Sequence, residues 1–357
     1  MNLNIIKKDL SQSHIYRILV RKKICLLLFL ALLLILNFLL DLALGPANYD
    51  LWDIAKALIM PNTVPVQLRV VLWDIRMPMA LMALMPLLVG AALSVSGAQM
   101  QTILNNPLAS PFTLGIAAAA SFGAALGLVF GLRLFPIVTE YMISINAFIM
   151  ALFSVCMIYL LSLRRGVRAE TLVLLGIAMV FTFNSLLALV QYFSHEQAVA
   201  VVVFWTMGSL MKATWLKVAV VFSIFILTLP LLIKRVWALT ALRLGDEKAQ
   251  SLGINVKNIR LEILLLVSLL ASIPISFVGA IGFVGLVGPH IARMLIGEDQ
   301  RFFMPASLLT GALLLSISSV VSKLLIPGIV VPIGVVTSLI GIPFFVTLIL
   351  HSRRNTW

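Results

Sequence analysis

Asp246, Glu247 and Lys248 stand in a row within the segment LGDEKAQSLG, which runs Leu244, Gly245, Asp246, Glu247, Lys248, Ala249, Gln250, Ser251, Leu252, Gly253. The flanking runs, Val218 to Ile233 and Leu261 to Val278, are strongly apolar. What these charges can do is bounded by what the rest of the chain offers. Two cysteines, Cys25 and Cys156, lie far apart in apolar runs, with no C-x-x-C and no Cys/His cluster, so they read as membrane packing rather than as a metal or redox site. The carboxylates Asp41, Glu140 and Glu262 lie near span ends, and His195 reads as a solvated loop histidine. No G-x-x-x-x-G-K-[ST] loop occurs, so the chain does not hydrolyse ATP in the P-loop manner. Two roles are left to the island: ion pairing with another protein, the contact through which an uphill transporter would take in energy, or a solvated connector whose charges enforce topology.

The elements that must hold this island are set by composition. The chain is 62% hydrophobic and 11% charged, with a mean hydropathy of +1.12. A charged fraction this low places most of its 357 residues in a bilayer. Apolar windows fall at about 24–44, 78–98, 111–131, 137–161, 171–192, 215–236, 259–279, 281–296, 305–325 and 333–350. The eighth is short and glycine-rich, as a broken or tilted segment would be. The expected fold is an all-α membrane protein of about ten transmembrane helices with two related helical halves. A basic arm, 1–23, leads into a permease region, 24–351, which contains a charged loop at about 238–258; a tail follows at 352–357. The run after the arm is too long for a signal-peptide core.

The net charge of +13 is mainly topological. With ten spans, the basic arm, Arg164, Arg165, Arg168, the 234–260 cluster, Arg293, Arg301, Arg353 and Arg354 all fall on one side. The positive-inside rule makes that side and both termini cytoplasmic, and a nucleic-acid partner is not expected. On the other side, Trp52, Ala55, Leu58 and Ile59 share one face of a short interfacial helix, and 194–214 reads as an external connection. Ion-coupled secondary carriage is the rival mechanism, and the scarcity of acids at span centres weighs against it.

Two Gly/Pro-interrupted segments occupy comparable places in the two halves, Val89 to Ile116 and Ile275 to Asp299. Glycines there allow close helix approach, and Pro107, Pro111 and Pro289 interrupt helices. Several motifs follow in order: IR-x-P at Ile75 to Pro78, Gly90 to Gln101, and NPLASP at Asn106 to Pro111. Further on come WTMGSL at Trp205 to Leu210, LGDEKAQSLG, GFVGLVGPHIAR at Gly282 to Arg293, and PIGVVTSLIGIPFF at Pro332 to Phe345. With these motifs the chain, from about Ile75 to Leu350, resembles the FecCD family of permeases, the membrane subunits of type II ABC importers for iron–siderophore complexes, haem and vitamin B12.

The resemblance implies a second permease subunit, identical or related, two cytoplasmic ATPase subunits and an extracytoplasmic solute-binding protein, all in the bacterial cytoplasmic membrane. It implies no cofactor on this chain; ATP and Mg belong to the ATPase. It makes LGDEKAQSLG the coupling segment and places binding-protein docking at Arg76 and Lys323. Met79, Ser319 and Val330 replace charged residues of the family pattern, which implies that an outer salt-bridge network has been dismantled. The family's pathway is lined partly by the fifth and tenth helices, where Asn184, Gln191, Thr337 and Ser338 are the polar candidates. Asn106, Pro107, Pro111, Gly282, Gly285, Gly288, Pro289 and His290 are carried over as structural motif residues.

Overall fold

Each of the ten apolar windows holds helix in the computed structural model, which describes residues 3–43, 77–132, 141–211, 213–326 and 329–351 and the single positions 52, 56, 60 and 65. The helices are α1 Leu3–Ala43, α2 Met77–Ile103, α3 Ile116–Phe130, α4 Met142–Arg165, α5 Ala169–Tyr192, α6 Glu196–Thr206 and α7 Trp215–Lys234. They continue as α8 Val236–Leu242, α9 Asp246–Ser251, α10 Val256–Val278, α11 Val284–Ile296, α12 Gln300–Leu324 and α13 Ile333–His351. Among the described residues, seven helices are long and apolar enough to cross a membrane: α1, α2, α4, α5, α7, α10 and α12. The helices α3, α6, α11 and α13 are apolar but shorter.

Two expectations change. The basic arm is helical from Leu3 and runs without a break into the first span. The 194–214 connection contains α6, because Gln197 to Trp205 is an uninterrupted run of helix-compatible, mostly apolar residues behind Glu196 in the first turn. The short eighth segment is α11, preceded by non-helical 279–283. The interfacial helix expected around 52–59 lies outside the described residues, except Trp52, which is exposed.

Burial sorts the helices into pillars and walls. In their most apolar stretches 83% and 72% of the residues of α2 and α10 are buried within the chain, against 11% in α1 and 17% in α5. An apolar helix left that exposed must face lipid or another subunit, since lipid solvates it as well as protein does.

Small residues let the pillars meet. A Cβ placed on Gly97 would collide with the Gly285 carbonyl oxygen, and one on Gly90 with that of Gly311. The backbones of α2, α11 and α12 are therefore in direct contact, the approach that small-residue seams permit. Between these crossings the Ser94 hydroxyl donates to the Ser307 carbonyl at 2.6 Å, and the Thr310 hydroxyl donates to the Gly288 carbonyl at 2.8 Å. At one end of the seam Gln99 Nε2 donates to Gln300 Oε1 at 3.2 Å, and Gln300 Nε2 donates to the Thr102 hydroxyl at 2.8 Å. Pairing of this kind is what polar groups in an apolar interior require.

Candidate coupling site

The site is built on α9, which projects from the bundle between α8 and α10. Gly245 precedes it at φ 100°, a left-handed conformation that glycine adopts without strain, and Gly253 follows it at φ 80°. The LG pairs at the two ends of the island are thus its two turns. Within the helix only Ala249 is buried, with no exposed surface. Its small side chain lets the helix lie close on the protein below. Glu247, Lys248, Gln250 and Ser251 are exposed, and so are the flanking Leu244 and Leu252. A short helix that turns two leucines and an acid–base pair away from its own fold offers a surface to a partner.

Asp246 has a different job. Its carboxylate faces Arg260 on α10, accepting from Nη2 at 2.8 Å and from Nη1 at 3.1 Å. The Arg260 side chain is only 3% exposed. Its Nε also donates to the Ile103 carbonyl at 2.8 Å, and Nη1 donates to the Val167 carbonyl at 3.0 Å. Those carbonyls end α2 and precede α5. Sequence reasoning counted Arg260 only as a topological charge. A planar fork with several fixed donors suits this role better than a point charge does.

Around the same end, Arg243 bonds Glu298 through two nitrogens and reaches Asn105 Oδ1 at 3.4 Å. Arg293 donates to Gln101 Oε1 at 2.8 Å and lies 3.2 Å from Glu298 Oε1. Arg235 pairs with Glu262 at 2.8 Å, and this hydrogen-bonded carboxylate raises the arginine's pKa. Much of the basic cluster is thus neutralised within the chain. NPLASP leads into the same region: Asn106 Oδ1 accepts from the Leu108 amide at 2.9 Å, an Asx turn. The Ser110 amide then donates to the Thr113 hydroxyl at 3.2 Å, and that hydroxyl donates to the Ser110 carbonyl at 2.7 Å, closing the short 3-10 turn begun by Pro111.

The remaining candidates divide. Arg76 lies outside the described residues. Lys323, expected to face a binding protein, is bonded inside the chain: Nζ donates to Asp41 Oδ1 at 2.8 Å and to the Asp41 carbonyl at 3.2 Å. The Ser319 hydroxyl donates to the same carboxylate at 3.2 Å. Lys323, Ser319 and Asp41 thus form a polar network within the chain, with its acid supplied by α1. Asn184 is exposed and Gln191 half-buried on α5. Thr337 is buried, with its hydroxyl on the Gly334 carbonyl at 3.1 Å, and Ser338 bonds the same oxygen at 2.7 Å. These two hydroxyls are satisfied within α13. Gly285, Gly288 and Pro289 are buried in the seam, Gly282 has open space around it, and His290 packs edge-on against Phe344 with ring centres 6.2 Å apart. Among the described residues no group of three His, Cys, Asp or Glu side chains could hold a metal ion.

Among the described residues the chain is thus an all-helical multi-pass membrane protein with an exposed charged helix at one end, and comparison with known proteins says which kind. The FecCD transport family matches residues 32–351, and the chain belongs to that family. It is 39% identical to an ABC transporter permease protein of Methanocaldococcus jannaschii, over 95% of this chain and 98% of that one. It is 36% identical to the hemin transport system permease of Yersinia pestis, over 92% and 97%. A solved structure, an inward-facing metal-chelate type ABC transporter, superposes with a TM-score of 0.79 at 29% identity, covering 91% of this chain and 98% of that one. Other relatives are import permeases for vitamin B12, Fe(3+)-citrate and molybdate. The chain is an ABC importer permease of the FecCD type.

Proposed function

We propose that this permease carries an iron(III)–siderophore complex across the bacterial cytoplasmic membrane as the translocation pore of a type II ABC importer. Two ATPase subunits bind its cytoplasmic end, a second permease subunit, identical or related, completes the pathway, and an extracytoplasmic binding protein delivers the cargo. The observation that carries the coupling part is α9, held from below by Ala249 and Asp246 while Leu244, Glu247, Lys248, Ser251 and Leu252 face outward. A helix presented in this way fits a groove on a partner and passes on its closure. The positive-inside rule puts that end in the cytoplasm. Arg76 remains the docking candidate, and the exposed face of α5 with Asn184 and Gln191 the pathway candidate.

The cargo reading rests on likeness to the metal-chelate type transporter over 91% of the chain. Haem is the second reading, favoured by the hemin permease relative. The test is uptake into proteoliposomes holding the permease, its ATPase and its binding protein, with ferrichrome, haem, cyanocobalamin and molybdate offered in parallel. ATP-dependent uptake of ferrichrome above the other three is expected. Preference for haem moves the chain to the second reading, and uptake that persists without the ATPase overturns the importer mechanism.

A further inference from the structure

We infer that Arg260 is the positioning residue that makes the coupling helix, the end of α2 and the start of α5 move as one body; this rests on the importer reading above. Four hydrogen bonds leave one buried guanidinium in three directions. Two go to Asp246 on α9, one to the Ile103 carbonyl at the end of α2, and one to the Val167 carbonyl two residues before α5. Among the described residues no other ion pair ties α9 to the spans. Glu247 and Lys248 point outward, and the remaining bonds of the segment are local turns.

The geometry decides what moves together. Asp246 is the first residue of α9, so a push on the outward face reaches Arg260 after one carboxylate–guanidinium pair. Bidentate charge-assisted pairs hold direction as well as distance, because both nitrogens must follow both oxygens. The same planar group then pulls on two carbonyls. Ile103 leads into the Asn106–Pro111 loop, and Val167 leads into the helix that bears Asn184 and Gln191. A displacement of α9 is thus delivered to a loop and to a wall helix together. The packed core of Ala249 against its neighbours transmits compression but not this pulling direction.

The test uses the assembled permease–ATPase complex in nanodiscs, with Cys25 and Cys156 replaced by serine and nitroxides placed at the exposed positions 250 and 170. ATP with vanadate is the probe, and pulsed dipolar distances are the readout. With Arg260 and Asp246 intact the 250–170 distance within one chain stays constant, while the separation between the α5 starts of the two permease subunits changes. In Arg260→Lys, which keeps the charge and loses the fork, nucleotide still displaces 250, but the inter-subunit change at 170 falls at least twofold. Asp246→Asn, a substitution at a half-exposed position that leaves both carbonyl bonds in place, shows the same loss if Arg260→Lys fails to assemble. The double variant is no worse than Arg260→Lys alone. An undiminished change at 170 in either single variant, or losses that multiply in the double variant, overturns the inference. A background complex in which ATP moves neither label overturns the importer reading itself.

Discussion

Lys323 on α12 and Asp41 on α1 form an ion pair at 2.8 Å, and the Asp41 side chain has no exposed surface while that of Lys323 is 19% exposed. Ser319, one turn earlier on α12, donates to the same carboxylate. Removing one partner leaves a charge buried without compensation, which costs about 3–5 kcal/mol. Lys323→Met or Asp41→Asn is therefore expected to lower the melting temperature in detergent markedly, and the double variant to recover most of the loss. A double variant as unstable as the sum of the singles would show that the pair is not the source. Lys323→Met is also expected to leave binding-protein affinity within about twofold, because its ammonium is spent within the chain.

The glycines of two motifs give a contrast between a crowded position and an open one. Gly97→Ala drives a methyl into the Gly285 carbonyl, whereas Gly282 has open space around it. Overpacking of this kind costs about 1–3 kcal/mol, and an unopposed methyl stays within about 0.5 kcal/mol. Thermal unfolding of Gly97→Ala and Gly282→Ala side by side should separate them. Equal stability of the two variants would mean α2 and α11 do not meet backbone to backbone.

The sequence carried the helical windows well, because a bilayer imposes long apolar runs with little freedom in length. It also marked 244–253 as an exposed charged segment, since charge between two apolar runs has few places to go. The partners of the charges were invisible. Asp246 and Arg260 are fourteen residues apart across the turn at Gly253, and Asp41 meets Lys323 across 282 positions. No periodicity encodes such pairings. The replacement at Ser319 looked like a lost acid because attention to one helix does not reveal that another supplies it. Helix α6 was missed because its eleven residues are too few to mark a span.

Asp299 offers a pH test at the start of α12. The Arg301 guanidinium hydrogen-bonded to it holds its carboxyl below the ordinary value of 3.8, and Asp299 Oδ1 also caps the helix by accepting from the Arg301 amide. A carboxyl with a depressed folded pKa stabilises at pH above its unfolded value, and that contribution is lost as pH falls through the folded pKa. Asp299→Ala should cost about 1 kcal/mol near neutrality, the usual worth of a cap. The gap in melting temperature between wild type and variant should shrink progressively as pH falls below the ordinary value of 3.8 toward the folded one. A gap independent of pH would contradict the charge-assisted part of the contact.

Charge reversal on the outward face of α9 probes partner recognition without touching the internal clamp. Glu247→Lys with Lys248→Glu leaves Asp246 and Arg260 intact and inverts the exposed pattern. Surface charges of this kind act mostly on encounter and register. The variant should retain membrane insertion and melting temperature, while its association with the ATPase weakens about tenfold and becomes less sensitive to salt. Unchanged ATPase affinity would place recognition elsewhere.

The central claim, that α9 meets the ATPase, is tested most directly by photo-crosslinking from a benzophenone side chain at Leu252, which is 64% exposed, with Phe181 on α5, 69% exposed, as the control. Crosslinks to the ATPase from 252 and none from 181, in membranes containing the assembled complex, are the predicted result. Crosslinks from 181 but not from 252, or from neither position in a complex shown to be assembled, would contradict it.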